Sequence, residues 1–177
     1  PEGWTEIGEG CLVMAMAHVA HDCRLEPGVI IINYGGVTGH CELGERATLG
    51  GMSGIVPFTR IGALAYVGGH SKVTADLPPY MIAEGSPATV RSVNVIGMRR
   101  AGIGAPDRRL VQDAHRLLYR TGLPPRRAVE RIRGELPATP ALERLIDFIT
   151  ASRRGMPASR CRLANSTLAG VISSRSI

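Results

Sequence analysis

The stretch 17–23 reads AHVAHDC and sets His18, His21 and Asp22 within five positions. Further along, VTGH brings in Gly39 and His40. These residue types suit acyl transfer to a hydroxyl. A neutral imidazole accepts a hydroxyl proton near neutral pH, and such general-base help is worth roughly 10²–10⁴-fold in rate. A carboxylate beside the imidazole fixes its tautomer and stabilises the imidazolium that forms. A glycine N–H can donate to the oxyanion that develops when a carbonyl is attacked. Surface histidines bonded along their own chain are the plainer alternative, so the elements that hold these groups decide between the two.

Those elements follow from a six-residue period. Aliphatic residues recur without a break at Ile7, Val13, Val19, Leu25, Ile31, Val37, Leu43, Leu49, Ile55, Ile61, Val67 and Val73. Four positions after each comes a mostly small residue, among them Cys11, Ala17, Cys23, Cys41, Ala47 and Ser71. A helix needs a period of 3.6 and a flat strand a period of 2, so neither fits. A parallel β-helix does, with each hexad forming one side of a triangular coil and the aliphatic pointing into the prism. Pro78 and Pro79 cannot donate a backbone hydrogen bond and are expected to end the ladder. Cys11, Cys23 and Cys41 share the small inward position and read as buried free thiols rather than metal ligands. No CxxC spacing supports a zinc site.

Charge divides the chain near Asn94. Residues 1–93 carry nine Asp and Glu against five Lys and Arg, whereas residues 94–177 carry sixteen Arg against six acidic groups. A basic second module points to an acidic partner, and its arginines lack the aromatic interleaving of a nucleic-acid surface. Its periodicity predicts three helices. One opens at Pro106-Asp107 with Leu110, Ala114, Leu117 and Leu118 on one face; a second opens at Pro124-Pro125 with Ala128, Val129, Ile132 and Leu136. The third starts at Pro140 with Thr139 as N-cap and is expected to stop near Gly155. The expected organisation is a β-helix over 1–79, a connecting extended segment over 80–105, helices over 106–156 and a flexible tail over 157–177 that includes Cys161. No run of eighteen apolar residues and no signal peptide is evident, so stable membrane insertion is not expected and the cytoplasm is the default location.

The repeat resembles that of the hexapeptide-repeat acyltransferases, whose left-handed coils take three hexads, hence eighteen residues, per turn. On that map residue n lies beneath n+18, about 4.8 Å away along the ladder. His21 falls beneath Gly39 and Asp22 beneath His40, so AHVAHDC and VTGH become one patch. His18 falls at a corner beneath Gly36 and Gly54 and is expected to be mostly structural.

AHVAHDC, VTGHCELG, FTRIGALAYVGG, DLPPYMIAEGSPAT and NVIGMRRAG together resemble, in order and spacing, the acyl-(acyl-carrier-protein)–UDP-N-acetylglucosamine O-acyltransferase family. The resemblance implies transfer of an (R)-3-hydroxyacyl chain from acyl carrier protein to the 3-hydroxyl of UDP-N-acetylglucosamine, the first step of lipid A synthesis, by a homotrimer without a cofactor. It implies His21 as general base, Asp22 as its partner or a substrate contact, Gly39 as oxyanion donor and His40 as a sugar contact. Gly69 matches the position that limits acyl length, and Asn94 and Arg100 match contacts to the nucleotide and its phosphates. The chain departs from the family pattern at Val56-Pro57, where His-Gln is usual, and at Pro87, Ile96 and Ala101. It opens inside the repeat, so further coils ahead of Pro1 are expected. Two other functions fit the same fold: a zinc-dependent hydration site using His18, His21 and His40, and a non-catalytic scaffold.

Overall fold

The computed structural model describes residues 3–159. Twelve two-residue strands follow the hexads: β1 (Glu6–Ile7), β2 (Leu12–Val13), β3 (His18–Val19), β4 (Arg24–Leu25), β5 (Ile30–Ile31), β6 (Gly36–Val37), β7 (Glu42–Leu43), β8 (Thr48–Leu49), β9 (Gly54–Ile55), β10 (Arg60–Ile61), β11 (Tyr66–Val67) and β12 (Lys72–Val73). Every third strand pairs in parallel. The first face is β1-β4-β7-β10, the second contains β2-β5-β8-β11, and the third is β3-β6-β9-β12. Each pairing joins residues eighteen apart, as in Ile7↔Leu25 and Gly36↔Gly54. The fold is a parallel β-helix of four turns, with the inward aliphatics from Leu25 to Val73 at most 2% exposed.

Each corner between faces turns through one residue with positive φ, repeated every six positions from Met16 to His70 with glycine only at Gly28. A non-glycine residue in that region costs of order 1 kcal/mol, which the ladder on both sides must offset. Cys23 and Cys41 are fully buried, with thiols directed to Thr38 O and Val56 O. Burial pushes the Cys41 thiol up. Cys11 is only half-buried, because in the first coil Ile7 and Val13 are themselves 51% and 42% exposed.

The expectation that Pro78-Pro79 ends the ladder is corrected. Pro79 packs against Gly62, where any Cβ would collide with it, and Leu77 bridges Ile61. The prolines thus occupy a corner, where no ladder donor is required. The chain then rejoins the second face as β13 (Met81–Gly85), parallel to β11, and turns back as the antiparallel β14 (Ala88–Val93). Residues 80–105, expected to be a connection, therefore contain a hairpin and the short helix α1 (Val95–Arg100).

Three helices follow: α2 (Ala105–Arg120), α3 (Pro125–Glu135) and α4 (Pro140–Ala151). Thr139 caps α4 as expected, its hydroxyl accepting from Leu142 N–H. The helix stops at Ala151, short of Gly155, because Ser152 turns extended and donates its hydroxyl to Asp76. Leu117, Leu118, Ile132, Leu142 and Leu145 form one core with Met98 and the hairpin. The start of the expected tail is held down, since Val90 N–H donates to Ala158 O and the buried Ser159 hydroxyl to Tyr119 O. The remainder of the tail, with Cys161, lies outside the described residues.

Candidate active site

Stacking by eighteen brings Asp22, His40 and Phe58 into one column at the corner between the third and first faces. All three have positive φ, at 57°, 60° and 61°. That conformation is set by the turn rather than by the side chain. Successive corners are pinned by His40 N–H donating to His21 O and Phe58 N–H to Gly39 O, both at 3.2 Å.

The column orients His21. Its Nδ1–H donates to Asp22 Oδ2 at 2.7 Å, while Gly3 N–H donates to Asp22 Oδ1 at the same distance. These two bonds, His21's first, hold the Asp22 carboxyl below the usual carboxylate range, with the charge of His40 adding to them and desolvation opposing. An ionised Asp22 fixes the tautomer with Nδ1 protonated, so the lone pair sits on Nε2. The His21 side chain is 71% exposed and that of Asp22 only 15%, so the anchor is sheltered and the base reaches solvent.

Gly39 is buried directly against this ring. A Cβ on Gly39 would lie 2.6 Å from His21 Cε1 and 2.7 Å from Nε2. Among the described residues the Gly39 N–H has no acceptor. An uncommitted backbone donor beside a tautomer-fixed imidazole is the pairing that base-assisted attack on a thioester requires.

His40 stands edge-on to His21 at 5.1 Å between ring centroids and lies flat on Phe58 at 4.6 Å. Its Nε2 is 3.9 Å from Asp22 Oδ2. His21, Asp22 and His40 present ligand atoms within 4.8 Å of one another. His18, which the zinc alternative needs, is exposed on the third face and is not part of that group.

The other expected site residues lie elsewhere. Gly69 is exposed at the corner between the second and third faces, where a Cβ would meet Gly51 O at 3.3 Å. Asn94 is tied to the remaining corner, because its amide donates to Leu64 O at 2.8 Å and its carbonyl accepts from Gly97 N–H to cap α1. Arg100 ends that helix, exposed and without an ion pair among the described residues. One chain therefore distributes the expected site over three corners and unites only His21, Asp22, Gly39 and His40. Of the departures, Pro87 lies exposed at the hairpin tip, Ile96 is exposed on α1, and Ala101 is the C-cap of that helix.

Two features escaped the sequence. Phe58 follows His40 by eighteen, so the column spacing could have nominated it. Arg154 donates to Pro57 O at 2.7 Å across 97 residues, and no periodicity announces that contact.

Residues 76–157 match the family model for UDP N-acetylglucosamine O-acyltransferase, domain 2. An acyl-carrier-protein-dependent UDP-N-acetylglucosamine O-acyltransferase from Synechocystis is 41% identical over 148 residues, covering 84% of this chain and 53% of the relative. The Burkholderia orbicola enzyme of the same name is 38% identical, covering 87% and 60%. The crystal structure of UDP-N-acetylglucosamine O-acyltransferase from Moraxella catarrhalis superposes with a TM-score of 0.82 at 36% identity, covering 86% of this chain and 59% of that one. The chain belongs to the UDP-N-acetylglucosamine O-acyltransferase family. It spans between half and two thirds of the length of these family members. Their matched regions include both the β-helix and the helices, since the coverage of this chain exceeds four fifths. Among the described residues no helix is long and apolar enough to cross a membrane.

Proposed function

We propose that this chain supplies the base-bearing part of an acyltransferase that moves an (R)-3-hydroxyacyl group from acyl carrier protein to the 3-hydroxyl of UDP-N-acetylglucosamine, in the cytoplasm, at the start of lipid A synthesis. The observation that carries this reading is the 2.7 Å His21–Asp22 bond set against the Gly39 N–H, which has no acceptor among the described residues. His21 Nε2 takes the proton of the sugar hydroxyl as its oxygen attacks the thioester carbonyl. Gly39 N–H donates to the oxyanion of the tetrahedral intermediate. Collapse breaks the C–S bond, and the carrier's thiolate leaves with the proton that His21 held. Asp22 stabilises the imidazolium between these two transfers without taking a proton itself.

His40, held flat by Phe58, is assigned to the sugar. Gly69 leaves room for a longer acyl chain. Arg100, and the one Asn94 amide proton not used on Leu64, are assigned to the nucleotide and its phosphates. Because these groups occupy different corners, a complete site needs neighbouring chains, and a homotrimer of prisms meets that need. The basic module from Asn94 onward favours an acidic carrier as donor.

The test is carrier-dependent acylation of UDP-N-acetylglucosamine by the full chain and its His21→Ala variant. A loss of about 10²–10⁴-fold is expected. Equal rates would rule out the assignment of His21.

A further inference from the structure

After α4 the chain returns to the base-bearing corner as a strap over residues 152–155. Three hydrogen bonds seat it: Ser152 Oγ–H to Asp76 Oδ2 at 2.7 Å, Asp76 N–H to Gly155 O at 3.0 Å, and Arg154 Nη1–H to Pro57 O at 2.7 Å. Asp76 is 1% exposed, and its other oxygen accepts from Arg60 N–H of β10, so both oxygens of this buried carboxylate are in use, one on the strap and one on the ladder. Pro57 stands one coil beyond Gly39 in the same column and next to Phe58, which stacks on His40. The strap thereby closes one side of a cleft of about 540 Å³ whose lining includes His40, Glu42, Phe58, Asp76, Arg153 and Arg154.

The charges in that cleft are unevenly committed. Glu42 pairs with Arg60 at 3.1 Å, and the Arg60 guanidinium also lies over the Phe148 ring. Asp76 is consumed as described. Arg154 spends one of its five N–H donors on Pro57, and Arg153 has neither a hydrogen bond nor an ion pair among the described residues. Two guanidinium forks, one of them tethered, therefore line the cleft that holds His40, and neither is paired with a carboxylate among the described residues.

We infer that Arg153 and Arg154 form an anion subsite that grips a phosphoester of a bound substrate, using the planar, bidentate geometry at which arginine excels over lysine. The inference rests on the acyl-transfer reading only for the identity of the phosphoester. Under that reading it comes from one of two sources, the pyrophosphate of the sugar nucleotide or the phosphate of the carrier's pantetheine arm.

Calorimetric titration of the full chain with UDP-N-acetylglucosamine and with pantetheine 4′-phosphate separates these sources, with uridine and pantetheine as phosphate-free controls. The double variant Arg153→Ala/Arg154→Ala is expected to bind one phosphorylated probe about 10- to 100-fold more weakly, while affinity for its phosphate-free control is unchanged. The probe that weakens names the source. Arg154→Lys, which keeps charge but not the fork, should recover only part of the loss. The variants leave Ser152, Asp76 and Gly155 in place, and an unchanged thermal melt checks that the strap remains seated. The inference is overturned if both phosphorylated probes bind wild type and variant alike, if neither binds the wild type, or if the controls bind as tightly as the phosphoesters. Binding needs no turnover, so a His21→Ala variant that still acylates would remove the base assignment and leave this subsite standing.

Discussion

Gly39→Ala tests the geometry at its tightest point. The added Cβ would sit 2.6 Å from His21 Cε1 and 2.7 Å from Nε2. Ordinary van der Waals contact needs about 3.5 Å or more, so the ring must retreat by about 1 Å. The backbone has no reason to follow, because Gly39 does not have a positive φ and the ring belongs to a side chain that is 71% exposed. The cost to stability is expected to stay below about 1 kcal/mol, within the range of substitutions that disturb no core contact. The His21–Asp22 bond has no such latitude, since 2.7 Å stretched by 1 Å is no longer a hydrogen bond. A misplacement of that size costs about 10²-fold in rate. Carrier-dependent acylation should therefore fall by about two orders of magnitude while the denaturant midpoint barely moves. Nitrogen-15 spectra of the imidazole should show the fixed Nδ1–H tautomer replaced by a mixture. A folded Gly39→Ala protein with a wild-type rate and an unchanged tautomer would refute the claim that this glycine exists to seat the base.

Four further outcomes are expected. The His21 bond is the largest cause of the lowered Asp22 pKa, so His21→Ala should move the Asp22 midpoint back up toward about 3.9 in a carboxyl-detected NMR titration; an unmoved midpoint would break the link. In the wild type the sign follows from the depression: Asp22's contribution to stability is present above the unfolded-state value of about 3.9 and is lost as pH falls through the lower folded value. Asn94→Ala removes both the α1 cap and the bond to Leu64 O and should cost about 1–3 kcal/mol in urea unfolding, whereas Asn94→Asp, which can still cap, should cost less. Phe58→Ala frees one face of His40 and should raise KM for the sugar nucleotide more than it lowers kcat, with little change in stability because Phe58 is 60% exposed. Inactive His21→Ala and Arg100→Ala chains, mixed and reassembled, should regain about a quarter of the activity if each site draws its base and its nucleotide contact from different chains of a closed ring; no recovery would confine the site to one chain.

The ladder was legible because its cause is local and repeated. Once each hexad turns a corner, residue types alone fix which side chain enters the prism, and Leu25 through Val73 obey that rule. The His21–Asp22–Gly39–His40 patch was legible for the same reason, since an eighteen-residue step is a spatial neighbour on this fold. Legibility failed where the chain leaves the period. Pro78-Pro79 looked like a terminator because proline lacks a donor, yet at a corner no ladder donor is needed and the strands resume at Met81. The end of α4 was misjudged because Ser152 is drawn out of the helix by a carboxylate 76 residues away. The same separation hid the strap and its arginines.

The distribution of groups over the corners constrains how copies of the chain meet. His21, Gly69 and the Asn94 that caps α1 stand at three different corners of one prism, set apart by the cross-section rather than by a loop that folds across. Across a two-fold axis a contact is reciprocal, so the His21 corner of one copy meets a second corner of the other and that corner meets His21 in return. A heterologous contact also sets the His21 corner of one prism beside a different corner of the next, and it must close on itself to avoid a filament. The trimer proposed for this chain is a closed ring of the heterologous kind, and Asn94, by bonding Leu64 O, fixes α1 and its arginine to the corner between the first and second faces.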